Sequence, residues 1–111
     1  MFIRSISIGK IEPLDTPRGK VPTGIRKRPI SGPIQIGIDG LNGDHQADRA
    51  VHGGGNKAVY LFPSEHHARW KQFLARDDLS DGFFGENLTS VGVTEHTLCF
   101  GDQLEIGTSV L

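Results

Sequence analysis

The sequence predicts a mostly-β, barrel-like fold with one main helix, and three observations carry that prediction. Short stretches alternate apolar and polar residues with the period of two that a half-buried strand shows. Glycine and proline, 15 and 6 of the 111 residues, punctuate those stretches. Only residues 64–75 carry a helical pattern. Many short strands divided by Gly and Pro turns argue for a β-barrel-like architecture over a helical bundle.

Phe2 to Ile11 reads as the first strand, with Phe2, Ile6 and Ile8 on one face and Ser5 and Ser7 on the other. Ile3 breaks the alternation. Glu12 to Gly24 holds Pro13, Pro17 and Pro22, and reads as a loop because each Pro fixes φ and lacks a donor. Arg26, Lys27 and Arg28 follow, as a solvated strand edge or as a face toward an anionic partner. Pro33 to Leu41 alternates again, with Ile34, Ile36 and Ile38 inward, before an Asp39-Gly40 turn. Val59 to Phe62 forms a short strand that Pro63 stops.

Ser64 to about Ala75 is the helix. Glu65 and Arg69 make an i,i+4 pair on its surface. Trp70, Phe73 and Leu74 have the spacing of a core-facing stripe. His66 and His67 point about 100° apart on a helix, so they do not chelate one ion together. Phe83 to Leu88 reads as the start of a strand, with Glu86 and Asn87 on opposite faces. Thr94 to His96 is a turn, Leu98 and Phe100 share a strand face with Cys99 between them, Gly101-Asp102 turns the chain, and Leu104 and Ile106 form a strand. Gly107-Thr108 turns again into Ser109-Val110-Leu111.

Composition excludes several classes. The length allows one domain with a small core. The formal net charge of −1 lacks the basic excess of a nucleic-acid binder. No apolar run approaches a membrane span, and the N-terminus lacks the pattern of a signal peptide. Cys99 is the only cysteine, so no internal disulfide is expected. The expected location is the cytoplasm.

The chemistry concentrates in Gly40 to Tyr60, GLNGDHQADRAVHGGGNKAVY. Gly53, Gly54 and Gly55 let the backbone approach a ligand, and successive N–H groups there can form a nest for an anion. Arg49 and Lys57 bracket the run with positive charge suited to phosphate. The same run also reads as a polar loop joining two strands. Asp44, His45, Asp48 and His52 match no strong zinc spacing, and no direct protein–metal site is expected. Glu86 and Asn87 together offer an acceptor and a donor to a heterocycle edge.

Three ordered blocks carry a resemblance. They are Gly40-Leu41-Asn42-Gly43-Asp44-His45-Gln46-Ala47-Asp48 with Val51-His52-Gly53-Gly54 and Lys57-Ala58-Val59, then Phe84-Gly85-Glu86-Asn87-Leu88, then Gly101-Asp102 before an alternating strand. Together they closely resemble the MOSC domain, named for the C-terminal domain of molybdenum cofactor sulfurases, and within it the YiiM-like bacterial branch. The likeness spans nearly the whole chain. It implies a MOSC-type β-barrel, incomplete at the C-terminus, in a single domain over residues 1–111. The family's reactive cysteine lies in a Pro-Cys motif beyond the Gly-Asp hairpin, and this chain ends at Leu111 before it. Cys99 reads as an apolar strand residue and not as that cysteine.

The resemblance implies binding of the molybdenum cofactor, molybdopterin. Arg49, Lys57, Gly53, Gly54 and Gly55 would hold its phosphate, and His52, Glu86 and Asn87 would line the pterin or substrate pocket. The implied activity is an oxidoreductase reducing N-hydroxylated bases or related compounds, with a redox partner or a homo-oligomer. Sulfur transfer is a variant, although the pyridoxal phosphate domain of the sulfurases is not present here. The other reading is a non-catalytic MOSC subunit or remnant that binds a phosphate-bearing ligand or a partner chain.

Overall fold

The computed structural model describes residues 2–46 and 58–111. In chain order its elements are β1 (Phe2–Ile8), β2 (Glu12–Thr16), β3 (Gly19–Thr23), β4 (Arg28–Ile30), β5 (Ile36–Gly37), β6 (Gly40–Leu41), β7 (Leu61–Pro63), a 3-10 turn (Ser64–His66), α1 (His67–Leu74), β8 (Leu88–Val91), β9 (Glu105–Ile106) and β10 (Ser109–Val110). The class is mostly β with one main helix, as the sequence predicts. Among the described residues the strands make one four-stranded sheet, ordered β4-β1-β8-β7, and three two-stranded hairpins, with no closed barrel. No helix there is long and apolar enough to cross a membrane.

β1 is the centre of the sheet. It pairs antiparallel with β4 on one side and β8 on the other, and β7 pairs parallel to β8. Parallel neighbours need a crossover, which the 3-10 turn, α1 and the loop after it supply. Between Ile3 and Ser5 the β1–β8 register shifts, leaving Arg4 as the extra residue of a bulge. The bulge advances the side-chain phase by one. It puts Ile3 in phase with Ile6 and Ile8, which is why the sequence alternation breaks at that residue. Phe2 then falls out of phase and is exposed. The serine face is not the solvent face either, because Ser7 is fully buried.

The stretch expected as a loop, 12–24, is instead the β2–β3 hairpin. Its two-residue connection is Pro17-Arg18, followed by Gly19 at φ 102°. Counting from the Thr16–Gly19 pair beside the turn, the Pro13–Pro22 pair falls where strand N–H groups point away from the partner strand. Two prolines there cost the ladder nothing, so the rule that Pro breaks strands does not apply. The strand expected over 33–41 folds back on itself as β5–β6. The turn is Ile38-Asp39, one residue earlier than expected, and it leaves Ile38 82% exposed.

The helix lies where the periodicity places it, but a different residue docks it. His67 is its buried residue, packed near the rings of Phe62 and Phe84, whose own centroids stack 4.6 Å apart. The expected stripe is largely outside the core: Trp70 and Leu74 are each 38% exposed and Phe73 77%. An eight-residue helix held by its first turn does not carry its last turn into the core. Glu65 accepts from the backbone N–H of Gly92, tying the 3-10 turn to the end of β8. Cys99 is exposed in a loop, not packed in a strand; its N–H is held by Asp102 Oδ2 at 2.9 Å. Phe100 is fully exposed, so Leu98 and Phe100 share no strand face. The β9–β10 hairpin around Gly107-Thr108 forms as expected.

α1 ends at Ala75, which sits at φ 52°, ψ 44° and caps the helix through its N–H. Left-handed geometry suits glycine better than a residue with a Cβ. Ala75→Gly is expected to stabilise the fold by about 0.5–1 kcal/mol, net of the added unfolded-state freedom. Urea unfolding checks this, and an unchanged or lower midpoint would contradict the cap geometry.

Candidate functional site

The candidate anion residues Arg49, His52, Gly53, Gly54, Gly55 and Lys57 lie outside the described residues. What the structure describes is the frame from which their segment leaves and to which it returns. Asp44 anchors the departing end. Its Oδ1 accepts from Lys27 Nζ at 2.6 Å and from the Gly9 N–H at 2.9 Å, and its Oδ2 accepts from Asn87 Nδ2 at 2.9 Å. The Lys27 and Asp44 side chains are 6% and 1% exposed. A buried ion pair holds only when further hydrogen bonds fill the remaining positions, and here they do. Lys27 also donates to the His45 carbonyl at 3.2 Å. Lys27 is therefore neither a solvated edge residue nor free for a ligand. Its neighbours Arg26 and Arg28 stay exposed and pair with Glu12.

Asn87 is the second half of this junction. Its Nδ2 also donates to the Ser7 carbonyl at 3.2 Å, and its Oδ1 accepts from the Tyr60 N–H at 3.0 Å. Its backbone N–H donates to the Tyr60 carbonyl, and its carbonyl accepts from the Ser7 N–H. Both amide hydrogens and the amide oxygen are thus committed within the fold. Glu86 is equally committed. Its Oε1 accepts from the Gly82 N–H at 2.7 Å and from Thr89 Oγ1 at 3.3 Å, and its Oε2 accepts from the Phe84 N–H at 3.0 Å. Residues 81–84 form a turn and not the expected strand start, and the Glu86 carboxylate closes it. Glu86 is fully buried and Asn87 nearly so, so both serve as internal framework and neither presents an atom to an open groove.

The two ends of segment 47–57 are brought together. Gln46 Nε2 donates to the Ala58 carbonyl at 3.4 Å, and the His45 N–H donates to the Gly9 carbonyl at 3.0 Å. The approach is close enough to demand glycine. A Cβ on Gly24 would lie 2.1 Å from the His45 carbonyl oxygen, and one on Gly40 would lie 2.6 Å from that of Ala58. Among the described residues no three His, Cys, Asp or Glu side chains gather as a metal ligand set.

A second polar network lies under α1. The Arg4 guanidinium forks onto Asp81, which also accepts from Ser5 Oγ at 2.7 Å. Arg4 holds the Asp81 carboxyl below the usual carboxylate range. Arg4 Nη2 also donates to His67 Nδ1 at 3.3 Å, which puts the imidazole proton on Nε2. That Nε2 is buried without a hydrogen-bond partner, 4.0 Å from Glu86 Oε1. Sequence reasoning missed Lys27, Arg4 and Asp81 as structural charges and His67 as a buried neutral ring. The only readable signal was the broken alternation at Ile3, which marks the bulge that aims Arg4 and Ser5 at Asp81.

The family model that matches is the MOSC domain, over residues 48–111. The chain belongs to the MOSC domain family. It is 40% identical over 109 residues to the uncharacterized protein YflK of Bacillus subtilis, covering 98% of this chain and 49% of that protein. It is 36% identical over 105 residues to YiiM of Escherichia coli, covering 93% and 46%. A protein of Gibberella moniliformis named a reductase is 32% identical over 95 residues, covering 84% and 17%. The crystal structure of YiiM from Geobacillus stearothermophilus matches with a TM-score of 0.70 at 33% identity, covering 98% of this chain and 47% of that one. The chain thus sits in the YiiM-like branch of the family, and it spans about half the length of the YflK and YiiM proteins it matches.

Burial lowers the His67 pKa from its usual 6.5, against the opposing pull of Asp81 and Glu86. Such a group leaves stability whole above the unfolded pKa. Stability then falls as pH drops through that value, because the unfolded chain takes up a proton that the fold resists. His67→Gln is expected to flatten the fall in unfolding free energy between about pH 7 and pH 5. Parallel slopes for the two proteins would contradict a buried neutral His67.

Proposed function

We propose that this chain forms the front part of a MOSC unit that binds molybdopterin, within an oxidoreductase acting on N-hydroxylated bases or related compounds. One observation carries the reading. Two of the three motif blocks that carry the resemblance meet in the core, where Asp44 of the first accepts from Asn87 of the second at 2.9 Å. Asp44 and Asn87 are 43 residues apart in sequence, and Gln46 donating to the Ala58 carbonyl brings the two ends of the glycine-rich segment together. The relative named a reductase supports redox chemistry as the class.

The described residues supply the frame and not the cradle. Glu86 and Asn87 have their polar atoms engaged internally. Cys99, exposed in a loop with no ligand cluster near it among the described residues, does not fit the family's metal-ligating thiolate. The anion-holding role therefore falls to Arg49, Lys57 and the Gly53-Gly54-Gly55 backbone, whose donor chemistry suits a phosphate. His52 adjoins that run and is assigned to the pterin or substrate side. When bound, the cofactor's metal centre supplies the electron transfer, and the protein supplies binding and orientation.

Arg49→Ala and Lys57→Ala are each expected to lower retained molybdopterin about tenfold when the protein is reconstituted with the cofactor and desalted. Retained pterin is read by fluorescence after oxidation, and molybdenum by elemental analysis. Unchanged retention in both variants would overturn the anion-site assignment. Retention without reduction of an N-hydroxylated base would mark a binding subunit in place of an oxidoreductase.

A further inference from the structure

One buried side chain holds α1 to the rest of the fold. His67 is the helix's only buried residue, and Trp70, Phe73 and Leu74 leave its later turn exposed. Four charged groups face the His67 ring. Arg4 of β1 donates from Nη2 to Nδ1 at 3.3 Å, Asp81 Oδ1 lies 3.8 Å from Nδ1, and Glu86 Oε1 lies 4.0 Å from Nε2. Lys71 adds a positive charge one turn along α1. The rings of Phe62 and Phe84 supply the apolar side, with centroids 5.7 and 6.0 Å away.

We propose that His67 is an acid-sensitive latch: on taking up a second ring proton it releases α1, while the sheet and the 3-10 turn stay in place. The proton has one atom to go to. Nδ1 is the nitrogen that accepts from Arg4, so protonation removes that bond and sets two cationic N–H groups against each other. Neither carboxylate stands ready to take the charge. Asp81 is forked by Arg4 and accepts from Ser5 Oγ, and Glu86 accepts from Gly82, Phe84 and Thr89. Burial lowers the His67 pKa over the opposing pull of both. Water is left to solvate the imidazolium, and release of α1 reaches it. The neighbouring histidine responds the other way. His66 Nε2 donates to Glu95 at 2.9 Å, and a proton on His66 adds charge attraction to that pair. Glu65, held below the usual carboxylate range chiefly by the Gly92 N–H, keeps its grip on the end of β8 at the same pH. The 3-10 turn thus serves as the pivot. The groove lined by Phe62, His66, Arg69, Trp70, Phe73 and Glu95 takes one wall from α1, so release of the helix dismantles it.

Hydrogen exchange of the full chain between about pH 7 and pH 5 tests the latch. Protection of the α1 amides is expected to fall about tenfold per pH unit below about pH 6.5, as uptake of one proton on opening requires. The β1 and β8 amides are expected to keep at least about tenfold more protection than α1 throughout. In His67→Gln the side-chain amide still offers Arg4 an acceptor but does not titrate, and α1 protection should stay flat. His66→Gln should leave the fall in place. Equal protection of α1, β1 and β8 at every pH would mean that acid opens the whole fold at once, and would overturn the inference. So would a flat profile in the native chain, or a fall retained in His67→Gln. The His67 ring, followed by NMR in the native chain, should take up its proton at the pH where α1 protection disappears. A charged ring beneath a still-protected helix would contradict the latch whether or not the variants fold.

Discussion

Everything described around the site hangs on one buried carboxylate. Asp44 gathers Lys27, the Gly9 backbone and Asn87 onto its two oxygens, with almost no water contact. These donors come from the loop before β4, the end of β1 and the residue before β8. Removing one partner of a buried ion pair costs about 3–5 kcal/mol, because the remaining charge stays buried and under-paired. Total stability of a small domain is on the order of 5–15 kcal/mol. A single such interaction can therefore decide whether the departing end of segment 47–57 has a fixed position.

The dependence is sharper because the interior is polar. Among the described residues the buried hydrophobic ones are few, Leu41, Ala58, Leu79, Leu88 and Val93, while Ser7, His67, Glu86, Asn87, Thr89 and Ser90 share the interior with them. Hydrophobic contacts are non-directional and tolerate sliding. Hydrogen bonds to a buried carboxylate or amide do not, since a displaced partner leaves a desolvated group unmatched. Glu86 fixes the turn at residues 81–84 in this way and Asn87 fixes Tyr60 against β1. The family motif residues seen here are thus geometry-setting groups beneath the segment assigned to the ligand.

Local rules made part of this legible. Residue patterning gave the class, the helix, and the 107–108 hairpin turn, because each depends on neighbours a few residues away. The motif blocks gave the family. The β2–β3 hairpin was hidden because Pro13 and Pro22 read as strand breakers until their cross-strand pairing is known. The helix stripe was misread because Trp70 and Phe73 have core-like spacing, and only tertiary contact shows that the helix docks through His67. Lys27 was invisible for the same reason. A lysine between two arginines looks solvated, and its partner lies 17 residues on. Glu86 and Asn87 were found as special residues, but what they hold is backbone.

The central claim is that Asp44 and Asn87 couple the two motif blocks energetically, and a double-mutant cycle tests it most directly. Unfolding free energies would be measured for the native chain, Asp44→Ala, Asn87→Ala and the pair. A buried charge-assisted hydrogen bond predicts a coupling on the order of 1–3 kcal/mol, with the double variant less destabilised than the singles sum to. Additive effects, within about 0.3–0.5 kcal/mol, would mean that the two residues act independently, and the frame proposed for the site would not stand.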